Sequence, residues 1–251
     1  RKPELLDFEC VRSIQIDRTP TFRDGRFERY LEVGNIKRKF SIGSEINFEN
    51  GQWKNPHEIK RLVGFFMSPK FFHNVNIHSF FPRNDAPIDA SLDDLAERIR
   101  GQTSIGVHVR LGDYLILGDK VVPSEEYFIS GIETLSSKVG EEAKVFFFTD
   151  DPETFRKRFT KLYNFGHLPE LNPSTRSVEV LRLMSNCKAF VCSNSTFSWW
   201  GARLGGINPE LIIRPSFFYS SKPNEDTHQD LWNVASISLD PLTGKPKSRK
   251  V

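Results

Sequence analysis

Apolar residues alternate with other residues along the stretch 104–109, a pattern that is typical of a β-strand. Ile105, Val107 and Val109 occupy every second position, and all three are β-branched. Further apolar runs of strand length lie at 144–149, 189–192 and 211–213. We therefore expect buried strands at these four places in the second half of the chain.

Between these strands, apolar residues recur at helical spacing. Helices are predicted at 92–99, 124–139, 153–159, 177–187 and 199–204. Ser124 precedes two glutamates and is the predicted N-cap of the second helix. The alternation of strand and helix from residue 103 onward predicts an α/β fold with a parallel, doubly wound sheet.

The first 90 residues lack this alternation. Here we predict short strands at 10–16, 30–33 and 40–42, a loop at 47–56, an aromatic-rich packing segment at 64–72 and a linker at 85–91. The chain is accordingly divided into a partial amino-terminal region, 1–90, and an α/β domain, 91–251. The basic end at 244–251 is expected to be frayed.

Composition indicates a soluble globular protein, with 38% hydrophobic and 27% charged residues. The net charge of +3 comes without a dense basic stripe, so we predict no nucleic-acid partner. It is compatible with an anionic small ligand or a negatively charged membrane surface. No apolar run reaches the roughly 18 residues that a membrane span needs.

The three cysteines, Cys10, Cys187 and Cys192, form no CxxC pair, which argues against a disulfide framework or a zinc site. Cys187 and Cys192 lie in apolar surroundings and are predicted to be buried thiols. The low count favours a reducing compartment. The chain begins at Arg1 without a methionine or a targeting signal, which is compatible with an excised fragment.

Polar side chains follow the end of the first predicted strand. His108, Arg110 and Asp113 lie within six residues, and ligands of open α/β sheets gather at the carboxyl ends of strands. The planar fork of an arginine suits a phosphate group. A solvated polar turn would account equally well for His108 alone, but three functional groups together favour a binding site.

Two aspartates, Asp150 and Asp151, close the second strand just before Pro152. Paired acids could hold a metal ion, but two aspartates before a proline are also an ordinary helix start. Magnesium sites usually need spaced carboxylates and a phosphate ligand, so the helix start is the favoured interpretation and no metal site is predicted.

A turn of hydroxyl and amide residues links the third strand to the next helix. Ser193, Asn194, Ser195 and Thr196 would place hydroxyls and free N–H groups at a helix start, which is an anion cradle. The alternative is simple capping by Ser195 or Thr196, with the following tryptophans in the core. Asn194 also begins a glycosylation sequon, which we discount because a site between strand and helix would be poorly accessible.

Two of these segments resemble motifs of one enzyme family. The sequence HVRLGD at 108–113 resembles the HxRRxD motif of fucosyltransferases, and SNSTFSWWGA at 193–202 resembles the closing motif of glycosyltransferase family 11, the α-1,2-fucosyltransferases. Weaker blocks of that family match at 64–72, 148–152 and 183–188, in the same order. The resemblance covers about residues 60–235.

This resemblance implies a GT-B type enzyme with a Rossmann-like GDP-sugar-binding domain. The GGLGNQ segment expected at the start of the family is missing, which implies an incomplete acceptor-side domain in residues 1–90. The implied reaction is inverting, metal-independent transfer of L-fucose from GDP-β-L-fucose to a galactoside hydroxyl in α-1,2 linkage, in surface glycan biosynthesis. GDP-fucose is then a substrate and no cofactor is needed. The implied location is the cytoplasm, with peripheral membrane association, or the Golgi lumen in a eukaryote.

The resemblance also implies roles for individual residues. Arg110 would hold the β-phosphate and neutralise the charge that develops on departing GDP. The catalytic base would be Asp113 or Asp119, although Asp113 could instead orient Arg110. The residues implied to contact GDP-fucose are His108, Arg110, Asp150, Ser193, Asn194, Ser195 and Thr196.

One position departs from the family motif, because Leu111 stands where its second arginine is expected. Together with the missing amino-terminal segment, this departure leaves open a catalytically degenerate module that binds sugar nucleotides or glycans. A transferase for another nucleotide sugar is a further alternative.

Overall fold

The computed structural model describes residues 42–44, 48–49, 52–53, 61–63, 90–221 and 235–247. The strands are β1 (Ile42–Ser44), β2 (Phe48–Glu49), β3 (Gln52–Trp53), β4 (Arg61–Val63), β5 (Ser104–Val109), β6 (Lys144–Thr149), β7 (Ala189–Val191), β8 (Ile212–Pro215) and β9 (Ile237–Leu239). The helices are α1 (Ala90–Arg100), α2 (Glu125–Val139), α3 (Pro152–Arg158), α4 (Thr160–Tyr163), α5 (Ser177–Met184) and α6 (Thr196–Leu204).

Among the described residues, the main sheet has five parallel strands in the order β6-β5-β7-β8-β9. This confirms the predicted parallel α/β sheet. Strand β9 was not predicted, because three residues that include a serine give no periodic signal. In the first part of the chain, β1 pairs with β4 in parallel and β2 with β3 antiparallel.

Apolar clusters cover both faces of the main sheet, as a doubly wound fold requires. Helices α1, α5 and α6 pack on one face, and α2, α3 and α4 on the other. The run of phenylalanines in β6 serves both clusters: Phe146 and Phe148 belong to the first, and Phe147 to the second. This explains why the sequence of β6 is a continuous apolar run and does not alternate between apolar and polar residues.

Capping residues fix where two helices begin. The Ser124 hydroxyl accepts the Tyr127 N–H at 3.1 Å, as predicted, and the Asp151 carboxylate accepts the Thr154 N–H at 3.0 Å. Asp151 is therefore a helix cap, in agreement with the favoured interpretation of the aspartate pair.

Three local predictions need correction. The predicted loop at 47–56 contains the antiparallel pair of β2 and β3. Helix α6 begins at Thr196, three residues earlier than predicted. The end of the chain is not frayed at 244–247, because the Lys247 N–H donates to the Ser238 carbonyl at 3.0 Å and so pairs with β9. The strands predicted at 10–16 and 30–33, the aromatic segment at 64–72 and Cys10 lie outside the described residues.

Candidate active site

A cleft of about 610 Å³ opens at the carboxyl ends of β5 and β6, beside the first residues of α5 and α6. This is the edge of a parallel sheet at which ligands usually bind. Its lining residues are His108, Arg110, Asp113, Tyr114, Thr149, Asp150, Pro152, Leu171, Asn172, Pro173, Thr175, Ser177, Val180, Ser195, Thr196 and Phe197.

Arg110 lies in the cleft directly after β5 and is held between two carboxylates. Its Nη2 donates to Asp113 Oδ1 at 2.7 Å, and its Nη1 lies 3.1 Å from Asp150 Oδ2. The side chain of Arg110 remains 32% exposed. The guanidinium is therefore oriented by protein contacts and still accessible to an anion in the cleft.

The Asp150 carboxylate is fixed by a second contact. Its Oδ1 accepts the Leu111 N–H at 2.8 Å. Gly112 makes this approach possible, because a Cβ at that position would collide with Asp150 Oδ2. The Leu111 side chain is fully buried in the core on the α2 face and does not line the cleft. Leu111, the position at which this chain departs from the HxRRxD motif, therefore lies beneath the site rather than in it.

His108 is buried at the base of the cleft. Its Nδ1 lies 3.2 Å from Ser193 Oγ, and its ring centroid lies 5.5 Å from that of Phe197. Burial, together with the charge of Arg110, lowers the pKa of His108 to about 3. The imidazole is thus neutral at physiological pH, and Arg110 is the cationic side chain of this part of the cleft.

The start of α6 provides a second group suited to an anion. Ser195 and Thr196 line the cleft, and the Ser195 side chain makes no capping hydrogen bond within the described structure. The N-terminus of a helix carries a partial positive charge and free N–H groups. Both residues therefore lie where the sequence predicts an anion cradle.

Ser193 and Asn194 differ from this prediction, because both are fully buried and neither lines the cleft. Ser193 contacts His108, while the Asn194 amide donates to the carbonyls of Val121 at 3.0 Å and Phe218 at 2.5 Å. The first two residues of the turn lie in the protein interior, and only the next two line the cleft.

The two candidate bases are in different surroundings. Asp113 lines the cleft beside Arg110, whereas Asp119 does not line it. The Asp119 carboxylate accepts the Ser221 N–H at 3.2 Å and the Ser220 hydroxyl at 3.3 Å. The hydrogen bonds from Ser221 lower the pKa of Asp119. Geometry therefore favours Asp113 over Asp119 as a group that acts in the cleft.

Several lining residues were not predicted from the sequence. The segment 171–177 and Val180 form one wall, and Tyr114 lies at another, with the Arg110 guanidinium 5.6 Å from its ring centroid. The signal for the first wall was the Asn-Pro-Ser-Thr turn before α5, where Asn172 Oδ1 accepts the Ser174 N–H at 2.9 Å. Such an Asx turn places a loop directly before α5, which begins at the same sheet edge.

Three further features of the described residues concern metal binding, membrane spanning and the cysteines. Within residues 90–221 and 235–247, no three His, Cys, Asp or Glu side chains form a group suited to a metal ion. None of the described helices has the length and apolarity needed to cross a bilayer. Cys187 and Cys192 are buried free thiols, as predicted, and burial raises the pKa of both.

Comparisons with known proteins place this chain in a family. An alpha-1,2-colitosyltransferase of Escherichia coli is 30% identical over 207 residues, which are 78% of this chain and 68% of that protein. The O-antigen biosynthesis glycosyltransferase WbnK of Escherichia coli is 25% identical over 50% of this chain and 42% of its own length. A crystal structure of POFUT1 in complex with GDP gives a TM-score of 0.31 at 14% identity, over 59% of this chain and 62% of that one. A score below 0.5 does not establish a common fold. The model of glycosyl transferase family 11 matches residues 36–235, and the chain belongs to that family.

Proposed function

We propose that the protein transfers L-fucose from GDP-β-L-fucose to a galactoside hydroxyl, with inversion, in α-1,2 linkage and without a metal ion or cofactor. The observation that carries the proposal is that Arg110 and the start of α6 meet in one cleft. Membership of glycosyl transferase family 11 supplies the reaction class. The architecture proposed with it is GT-B, with the five-stranded sheet as the nucleotide-binding half.

In this proposal the cleft stabilises the leaving group. Negative charge develops on the diphosphate as the bond to the sugar breaks. Arg110 and Thr196, the first residue of α6, already line the cleft, so the guanidinium and the positive end of the helix meet that charge without reorganisation. A fixed guanidinium supplies the charge that a metal ion would otherwise provide.

Asp113 is the proposed base for the acceptor hydroxyl. It is the candidate that lines the cleft, and its side chain is 54% exposed, so an acceptor can reach it. Inverting transfer needs a base near the attacking hydroxyl. His108 is proposed to contact the nucleotide as a neutral imidazole, because its burial disfavours the charged form.

A second donor is favoured by a specific observation, the similarity to an alpha-1,2-colitosyltransferase. Colitose is L-fucose without the 3-hydroxyl group. Leu171, Val180 and Phe197 present apolar side chains to the cleft, and apolar side chains do not require the hydroxyl that colitose lacks. We therefore propose a 6-deoxy-L-hexose donor, with fucose and colitose as the two candidates. Surface glycan synthesis on the cytoplasmic side of a membrane is the proposed setting.

The alternative of a degenerate binding module loses part of its support. It depended in part on Leu111, but that side chain lies in the core, while Arg110 keeps two oriented contacts in the cleft. The substitution therefore changes a buried position and leaves the accessible arginine in place.

Titration calorimetry with GDP and UDP, with and without EDTA, tests the nucleotide. Turnover of GDP-fucose and GDP-colitose by the full-length protein then tests the sugar. We expect GDP binding that EDTA leaves unchanged, and a loss of about 10²–10³-fold in kcat/KM for Arg110→Ala. Arg110→Lys keeps the charge without the fork and should recover only part of this loss. Equal binding of UDP, or turnover that EDTA abolishes, would contradict the proposal.

A further inference from the structure

We propose that Asp150 is the permanent partner that positions Arg110, and that Asp113 leaves Arg110 when the donor diphosphate binds. The inference rests on the proposed function, because it concerns the step in which a nucleoside diphosphate enters the same cleft. It assigns different roles to two carboxylates that contact one guanidinium.

The permanent role follows from the contacts of Asp150. One carboxylate oxygen accepts the Leu111 N–H at 2.8 Å while the other lies 3.1 Å from Arg110 Nη1. The Asp150 side chain is only 24% exposed, and Leu111 is fully buried. Moving this carboxylate would leave a backbone N–H without its acceptor, which is unfavourable.

The exchangeable role follows from the contacts of Asp113. Its side chain is 54% exposed and lies on the short 3₁₀ turn Gly112–Leu115. Arg110 Nη2, at 2.7 Å, is the donor that its carboxylate contacts in the described part of the chain. Exposed ion pairs contribute little to stability, so breaking this pair costs little.

The charge around the guanidinium favours an exchange. Both terminal nitrogens of Arg110 contact carboxylates, and the three ionised side chains together carry one negative charge. A diphosphate that approached this arrangement would be repelled. When Asp113 gives way, Arg110 offers a free edge and the remaining pair is neutral. The released Asp113 carboxylate stays at the cleft and becomes available to the acceptor hydroxyl, so donor binding would precede activation of the acceptor.

The test compares Asp113→Asn with Asp150→Asn by calorimetric titration with GDP. Both substitutions remove the same charge beside the same arginine, so electrostatics alone predicts tighter GDP binding for both. We expect opposite signs: about two- to tenfold tighter for Asp113→Asn, and about tenfold weaker for Asp150→Asn, because Arg110 loses its fixed orientation. Asp151→Asn is the matched control, since Asp151 caps α3 and does not line the cleft.

Gly112→Ala provides a variant without any charge change. The added Cβ would displace the Asp150 carboxylate, so GDP binding should weaken as it does in Asp150→Asn. Thermal unfolding and circular dichroism verify that each variant is folded. Tighter binding in both aspartate variants, or no change in Asp113→Asn, would overturn the inference. Absence of GDP binding in the wild-type protein would instead overturn the proposed function, so the two failures are distinguishable.

Discussion

A substitution at Asn194 can distinguish a residue that contacts the ligand from one that stabilises the fold. The family resemblance places it in the diphosphate cradle, but the structure buries it completely and directs its amide at the carbonyls of Val121 and Phe218. These two carbonyls belong to segments that flank the turn at 193–196. We predict that Asn194→Ala lowers stability while leaving the affinity for GDP within about threefold of wild type.

The magnitude follows from the hydrogen bonds that are lost. The Phe218 carbonyl keeps the Val121 N–H at 3.2 Å, so one of the two acceptors remains satisfied. The Val121 carbonyl would lose its side-chain donor, which costs about 1–3 kcal/mol, and the second bond contributes about 1 kcal/mol more. Asn194 Oδ1 is itself buried without a partner among the described residues, and removing it recovers about 1 kcal/mol. The net loss is about 2 kcal/mol, or roughly 4–8 °C in Tm for a domain of this size.

Differential scanning calorimetry and GDP titration measure the two quantities on the same samples. Ser195→Ala is the contrasting variant, because Ser195 lines the cleft and makes no capping hydrogen bond. It should keep its Tm within about 2 °C and weaken GDP binding severalfold. An Asn194→Ala protein with wild-type Tm and a GDP affinity reduced more than tenfold would refute the supporting role of Asn194.

Two further predictions concern stability. Tyr127→Phe removes the hydroxyl that donates to the Cys192 carbonyl at 2.6 Å in the core. Urea unfolding should therefore show a free energy of unfolding lower by about 1–3 kcal/mol. Tyr163→Phe, at a 40% exposed position, is the control and should leave the free energy of unfolding unchanged. The pKa of His108 is lowered from 6.5 to about 3 by burial and by Arg110, so between these values the unfolded chain binds a proton that the folded chain excludes. The free energy of unfolding should therefore fall as pH drops from 6.5 towards 3, by up to about 1.4 kcal/mol per pH unit. Urea unfolding of wild type and His108→Gln at pH 7 and pH 4.5 measures this difference, and an equal pH dependence in both proteins would contradict it.

Four strands of the main sheet, β5 to β8, could be predicted from the sequence because their signals are local, whereas β9 was missed. The alternation in β5 and the apolar run in β6 each fit within six residues. A parallel sheet then brings the polar residues that follow these strands to one edge, which is why Arg110 and Asp150 were both candidates. The hydrophobic pattern was sufficient for that placement and for the helices that cover the sheet, except α4 and the first residues of α6.

Which residues of the site line the cleft and which are buried could not be predicted in the same way. Three consecutive polar residues, 193–195, precede α6 and a fourth, Thr196, begins it, and which of them face inward depends on the segments they meet. Asn194 is buried because it contacts Val121 and Phe218, which lie 73 and 24 residues away in the sequence. The early start of α6 was missed for a related reason, since a serine and threonine turn is typical of a loop until its N–H groups are seen to begin a helix.

Strand order explains why the two partners of Arg110 can behave differently. In the order β6-β5-β7, the strand that precedes Arg110 lies between the strand that precedes Asp150 and the strand that leads to α6. Asp150 therefore holds the arginine from one neighbouring strand, while the helix start that is proposed to bind the diphosphate comes from the other. A diphosphate that binds between Arg110 and α6 can retain the Asp150 contact but must compete with a carboxylate on the cleft side, which is Asp113. The same topology that gathers the charged groups at one edge thus separates the support of the arginine from its ligand.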